Sequence, residues 1–119
     1  EDLFMYYEDT DLSWRLREHG WRVVYVREAV VRHEHASSSG TGSPMFIRVN
    51  ARNRILVAAA HSPARVVVQA LARTLVRGLR GPRRGPVMTG LAQALAGLPG
   101  ELRHRSGGPP GCTKPLRRR

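Results

Sequence analysis

What this chain can fold into is limited first by where it is interrupted. Turn-forming residues fall at Gly20, across Ala36 to Pro44, at Ser62-Pro63, through Gly81-Pro82-Arg83-Arg84-Gly85-Pro86 and at Pro99. Glycine and proline end or redirect regular structure, so each element must fit between these points. Between Asp9 and Gly20 the pattern predicts a helix to about His19, capped by Asp9 or Thr10, with Asp11 in its first turn and Leu12 and Leu16 on one face. Trp21-Arg22-Val23-Val24-Tyr25-Val26 and Ala29-Val30-Val31-Arg32-His33 are β-branched and aromatic and predict two short strands around a break at Arg27-Glu28. The serine- and glycine-rich stretch after them, Ser37-Ser38-Ser39-Gly40-Thr41-Gly42-Ser43, has nothing to bury and predicts a mobile loop that could act as a lid.

A second helix is expected over residues 46–60, basic at its start and apolar from Ile55. Ser62-Pro63 predicts an N-cap with proline at the first helical position. Beyond it, Val68, Leu71, Leu75 and Leu79 share one face and Arg73, Arg77 and Arg80 the opposite one, the pattern of an amphipathic helix. Met88, Leu91, Leu95 and Leu98 form another short apolar stripe up to Pro99, and residues 100–119 read as a disordered basic tail. No internal repeat is visible.

The length of 119 residues suits one small domain. The chain begins at Glu1 without an initiator Met and reads as the tail of something longer. No uninterrupted apolar run is long enough to cross a membrane, and no signal peptide is visible, so secretion has no support. The single cysteine, Cys112, excludes an internal disulfide or a cysteine zinc site, and a reducing, cytoplasmic setting is the default.

Charge is split: residues 1–45 hold eight acids against five arginines, and residues 46–119 hold Glu101 against fifteen basic residues, for a net +11. A basic half suggests a polyanion or an anionic membrane surface. Yet Lys114 is the sole lysine among the 20 basic residues, and that skew, with abundant Ala, Gly, Val and Pro, is also what a GC-rich genome produces. The aromatics that would stack on bases lie in the acidic first third, away from the arginines, so nucleic acid is not an expected partner. Arg73, Arg77 and Arg80 are either a solvated helix face or a contact to an anionic membrane surface.

The chemistry-bearing stretch is Glu1-Asp2-Leu3-Phe4-Met5-Tyr6-Tyr7-Glu8-Asp9-Thr10-Asp11-Leu12-Ser13-Trp14-Arg15. It sets three acids in four positions between an aromatic run and a helix N-terminus. Aromatics can anchor such a loop, and the helix end favours negative charge, so the acids are either a base held for chemistry or simple capping. Asp11 falls inside the helix and reads mainly as capping. His33 and His35 alternate at a strand end, so at most one can face a site. His19 and His61 read as helix-end residues.

Phe4-Met5-Tyr6-Tyr7-Glu8-Asp9-Thr10-Asp11-Leu12, Arg15-Leu16, Gly20-Trp21, Val24-Tyr25-Val26, Ala29-Val30-Val31 and His33 with the following serines resemble the C-terminal part of family 2 glycosyltransferases, closest to bacterial rhamnosyltransferase-like members. Arg52-Asn53-Arg54 opening an apolar helix, Ser62-Pro63 and the basic tail are similar to that subgroup too. The resemblance is specific over the first forty or so residues and looser to about residue 100. It implies an α/β fold of the GT-A type. It also implies a nucleotide-diphospho-sugar donor, a divalent metal (Mg or Mn) and inverting transfer to a cell-surface polysaccharide or a lipid-linked acceptor. By the same resemblance Asp9 is the general base supported by Glu8, His33 helps hold the metal, and Trp14 and Arg15 shape the acceptor side or tie the helix down.

The expected organisation is residues 1–45 as the C-terminal part of the GT-A catalytic domain, 46–99 as an amphipathic helical extension and 100–119 as the tail. The family's nucleotide-binding strands and their Asp-containing metal motif are not in this sequence, so the chain by itself is expected to be inactive. Its expected place is cytoplasmic, with peripheral contact at the inner face of the plasma membrane. The competing class is a non-enzymatic basic module that binds an anionic membrane or another polyanion through residues 46–119.

Overall fold

The computed structural model of the chain describes residues 5–31 and 42–106. The helices in this part are α1 (Glu8–Glu18), α2 (Pro44–His61), α3 (Ala64–Arg80) and α4 (Arg84–Ser106), and no strand occurs among the described residues. The α/β expectation is therefore corrected: the described fold is all-helical and is not of the GT-A type. Residues 21–26 and 29–31 have strand-like composition but form no ladder. β-propensity measures fit to a pleated, half-buried surface. Here Tyr25, Val30 and Val31 are each more than four-fifths exposed, and no neighbouring backbone among the described residues supplies ladder hydrogen bonds.

α2 is the centre of the packing. Its N-terminus is set by Ser43, whose hydroxyl accepts from the amide of Phe46 at 3.1 Å, with Pro44 in the first turn. α4 lies along α2 more extensively than α3 does, and α1 touches α2 alone among the helices. Ile55 and Ala58 of α2 meet Ala70 of α3 and Leu91 and Ala94 of α4 in the core, flanked by Val66, Val67, Leu71 and Leu98. The α2–α4 approach is close enough that a Cβ at Gly90 would collide with the Arg48 carbonyl and lie 2.9 Å from Ala51 Cβ.

α3 turns small residues inward: Ala70, Thr74 and Gly78, four residues apart, are its buried positions. Of the apolar stripe Val68, Leu71, Leu75 and Leu79, Leu71 packs against the core while Val68, Leu75 and Leu79 stay exposed, as does Val76. Close helix contact selects for small side chains, and hydrophobicity alone does not say which stripe is buried. α4 runs through Pro99 to Ser106, so residues 100–106, expected to be part of the tail, are helical. Residues 107–119 and the expected mobile loop at 36–41 lie outside the described residues.

Candidate functional site

The acid-bearing segment enters α1 through two consecutive left-handed tyrosines, Tyr6 at φ 66° and Tyr7 at φ 72°. Non-glycine residues adopt that conformation at a cost of about 1 kcal/mol each, so something must hold them. Asn53 does. Its side chain is fully buried, and its amide nitrogen donates to the carbonyls of Met5 at 2.8 Å and Tyr6 at 2.9 Å. Both donors of the amide are thereby used on the loop. Tyr6 also meets Phe46 edge-on, with ring centroids 4.9 Å apart.

α1 lacks a side-chain cap; Tyr7 occupies the N-cap position and Glu8, Asp9 and Asp11 fill the first turn. The expected cap at Asp9 or Thr10 is thus displaced toward the N-terminus, and Asp9 lies within the helix. The helix ends as a Schellman motif: Trp21 donates to the Leu16 carbonyl at 2.9 Å and Gly20 to that of Arg17 at 3.0 Å, with Gly20 at φ 81°.

Asp9 is exposed. Its Oδ1 accepts from the backbone amide of Thr10 at 2.7 Å and from the Thr10 hydroxyl at 3.3 Å, which leaves Oδ2 open. The carboxylate lines a shallow depression of about 360 Å³ with Ser13, Trp14, Arg17 and Val23. Glu8 is exposed as well, without a hydrogen bond or ion pair to another described side chain. No hydrogen bond joins its side chain to that of Asp9, so any support it lends is through charge.

Asp11 is more than a capping acid. Its Oδ2 accepts from Arg15 Nε at 2.7 Å, and its Oδ1 lies 2.7 Å from His61 Nε2. The other ring nitrogen, Nδ1, lies 2.7 Å from Glu18 Oε1. Carboxylates only accept, so each of these contacts is a hydrogen bond when the facing ring nitrogen carries the proton. Trp14 stacks on the same imidazole, with centroids 6.1 Å apart and planes 6° from parallel, and Arg17 sits 5.5 Å over the indole. Trp14 therefore ties α1 to α2 and also reaches the depression beside Asp9, whereas Arg15 pairs with Asp11 within α1 itself.

His61, read from the sequence as an ordinary helix-end residue, is the centre of this clasp. The legible signal was Asp11 and Glu18 two turns apart on one face of α1, with Trp14 between them. Phe46, Asn53 and His61 recur at seven and eight residues along α2 and make one face, along which the acid loop and α1 are laid.

His33, the expected metal ligand, and His35 lie outside the described residues. Among the described residues no group of three or more His, Cys, Asp or Glu side chains could hold a metal ion. Asp11 spends its two oxygens on Arg15 and His61, and Glu18 Oε1 meets the other ring nitrogen of His61. No described helix is long and apolar enough to cross a membrane. Comparison with protein-family models, with curated proteins and with solved structures finds no match.

Proposed function

We propose that residues 5–18 present the acceptor-side base of a family 2 glycosyltransferase, acting on a nucleotide-diphosphate sugar and a cell-surface saccharide or lipid-linked acceptor. One observation carries the reading: Asn53, buried in α2, binds both carbonyls of the loop that delivers Glu8 and Asp9. The two segments of the sequence resemblance, the aromatic-acid loop and Arg52-Asn53-Arg54, are thereby joined at 47 and 48 residues' separation. A carboxylate on a fixed helical turn, with one oxygen open beside an indole, is what a general base for a sugar hydroxyl requires.

In the proposed step Asp9 Oδ2 takes the proton of the acceptor hydroxyl as its oxygen attacks the anomeric carbon. The bond to the donor diphosphate breaks and the configuration inverts. Thr10 keeps Asp9 Oδ1 oriented, and Glu8 raises the local negative charge. The proposal includes a divalent cation, Mg or Mn, with His33 as its ligand and no step assigned to it; transfer indifferent to chelation would remove it. The enzyme would work in the cytoplasm.

The test is Asp9→Asn in the full-length gene product, assayed with nucleotide-diphosphate sugars and saccharide acceptors. Proton transfer by a positioned base contributes about 100-fold to 10,000-fold, so kcat should fall by that much while donor affinity is little changed. Retained turnover refutes the base assignment.

A second reading, peripheral contact with an anionic membrane, is favoured by one feature of α3. Val68, Leu75, Val76 and Leu79 are exposed on the helix that also exposes Arg73, Arg77 and Arg80. An exposed apolar strip bordered by arginine suits the bilayer interface. Binding to phosphatidylglycerol vesicles that survives Leu75→Asp with Leu79→Asp would leave charge alone as the cause.

A further inference from the structure

A cleft of about 490 Å³ opens between α2, α3 and the turn joining α3 to α4, with Tyr7 on its rim. Its lining contains three arginines, Arg54, Arg77 and Arg83, and no carboxylate. They come from α2, from α3 and from the turn, so their convergence is a product of the fold. Among the described residues none has an acid within ion-pair distance.

Their hydrogen bonds are few. Arg54 Nη2 donates to the Thr74 hydroxyl at a long 3.4 Å, and Arg83 Nη1 donates to the Gly42 carbonyl at 2.6 Å. The Arg77 guanidinium has no hydrogen-bond partner among the described residues. A guanidinium carries five N–H donors, so most donors on all three have no partner among the described residues. Gly42, at φ 98°, holds Arg83 in place: a Cβ there would stand 2.6 Å from Arg83 Nη1. Three cations in one partly enclosed space repel one another, and an anion with several oxygens relieves that repulsion while accepting paired N–H bonds.

The rest of the lining says what the anion is attached to. Phe46, Ile47, Pro82 and Val87 are apolar. Of the polar neighbours, the Asn50 amide nitrogen already donates to the Phe46 carbonyl at 2.8 Å, and the Thr74 hydroxyl donates to the Ala70 carbonyl at 2.7 Å. Asn50 Oδ1 and the Tyr7 hydroxyl are the uncharged polar groups that remain beside this apolar share of the lining, fewer than a nucleobase edge or a set of sugar hydroxyls asks for.

We propose that this cleft binds a phosphate or diphosphate group carried on an apolar organic group. The site does not depend on the role of Asp9, and Asp9→Asn should leave it unchanged. The shared chemistry can come from a soluble organic phosphate or from a lipid headgroup.

The test is calorimetric titration of the 119-residue chain at fixed ionic strength. The probes are farnesyl diphosphate, inorganic pyrophosphate, uridine diphosphate and phosphatidylglycerol vesicles. Farnesyl diphosphate should bind at least about ten-fold more tightly than pyrophosphate or uridine diphosphate. Arg54→Gln and Arg77→Gln should each weaken it about ten-fold, the loss expected for one charge-assisted contact. Arg103→Gln, on α4 outside the cleft, should change nothing. The Arg77 guanidinium has no partner among the described residues to lose, so its variant separates binding from folding. Vesicle binding that falls with Arg54→Gln as farnesyl diphosphate binding does points to a headgroup; vesicle binding that ignores it, with farnesyl diphosphate still sensitive, points to a soluble compound. Absence of binding, equal losses from Arg103→Gln, or a preference for uridine diphosphate overturns the proposal.

Discussion

Asn53→Ala removes the amide that holds the acid loop, and the structure allows its effect to be worked out. The two hydrogen bonds to Met5 and Tyr6 contribute about 1 kcal/mol each. Against them stand two left-handed tyrosines, whose strain costs about 1 kcal/mol each. The edge-on contact of Tyr6 with Phe46 returns about 1 kcal/mol. α1 buries none of its own residues, so once the amide is gone the loop relaxes its tyrosines and only the His61 clasp still holds the helix. The free energy for opening α1 should fall by about 1 kcal/mol, a factor of about five in its exchange rate. Amide hydrogen exchange should show that acceleration in peptides covering α1 and little change around Leu91 and Ala94, because α1 contacts no helix but α2. Asn53→Asp keeps the volume but points anionic oxygens at two carbonyls, so it should accelerate exchange further. Exchange of α1 unchanged within about three-fold, or α1 and α4 accelerated equally, would refute the view that Asn53 anchors the loop locally.

His61→Ala should loosen the other end of α1 by about 1 kcal/mol, since Glu18 is nearly half exposed and water takes over its hydrogen bonds. The measurement is again exchange in α1, together with the fluorescence of Trp14, which loses its stacking partner. Two glycines of α4 should respond with opposite signs. Gly90→Ala forces α2 and α4 apart at the Arg48 carbonyl and should cost about 1–3 kcal/mol despite the better helix propensity of alanine, lowering Tm by at least about 4 °C. Gly100→Ala meets nothing within 4 Å and should raise Tm slightly, with a gain below about 1 kcal/mol. A thermal melt of the pair checks both signs, and a gain at Gly90 would contradict the close α2–α4 contact.

What could be read in the sequence followed from how local each feature is. Gly20, Ser62-Pro63 and the break at Gly81-Pro82 act through their own backbone and near neighbours, and the helix ends lie within a residue or two of them, although Pro63 and not Ser62 occupies the N-cap of α3 while Ser62 closes α2. The strands failed because a strand is not a local object: Trp21-Arg22-Val23-Val24-Tyr25-Val26 has the right side chains, but pairing needs a second backbone, and the described fold brings none. α3 failed more subtly. Its periodicity was correct, yet the buried face was set by how closely α2 and α4 approach, and Ala70, Thr74 and Gly78 fit that space where Leu75 and Leu79 do not.

The same distinction separates Asp9 from the residues that position it. An acid pair behind aromatics is visible in one short window, whereas Asn53 and His61 acquire their roles only when α2 is laid against segments 43 to 50 residues away. A buried asparagine needs partners for two donors, and free backbone carbonyls exist mainly where a chain turns in irregular structure. Asn53, beside the Ile55 that enters the core, therefore points to an irregular segment docked on α2, and the strained loop ahead of Glu8 and Asp9 is that segment. Strain held by a remote buried amide keeps a loop in one shape at the expense of stability, which is the arrangement expected where a carboxylate must stay oriented.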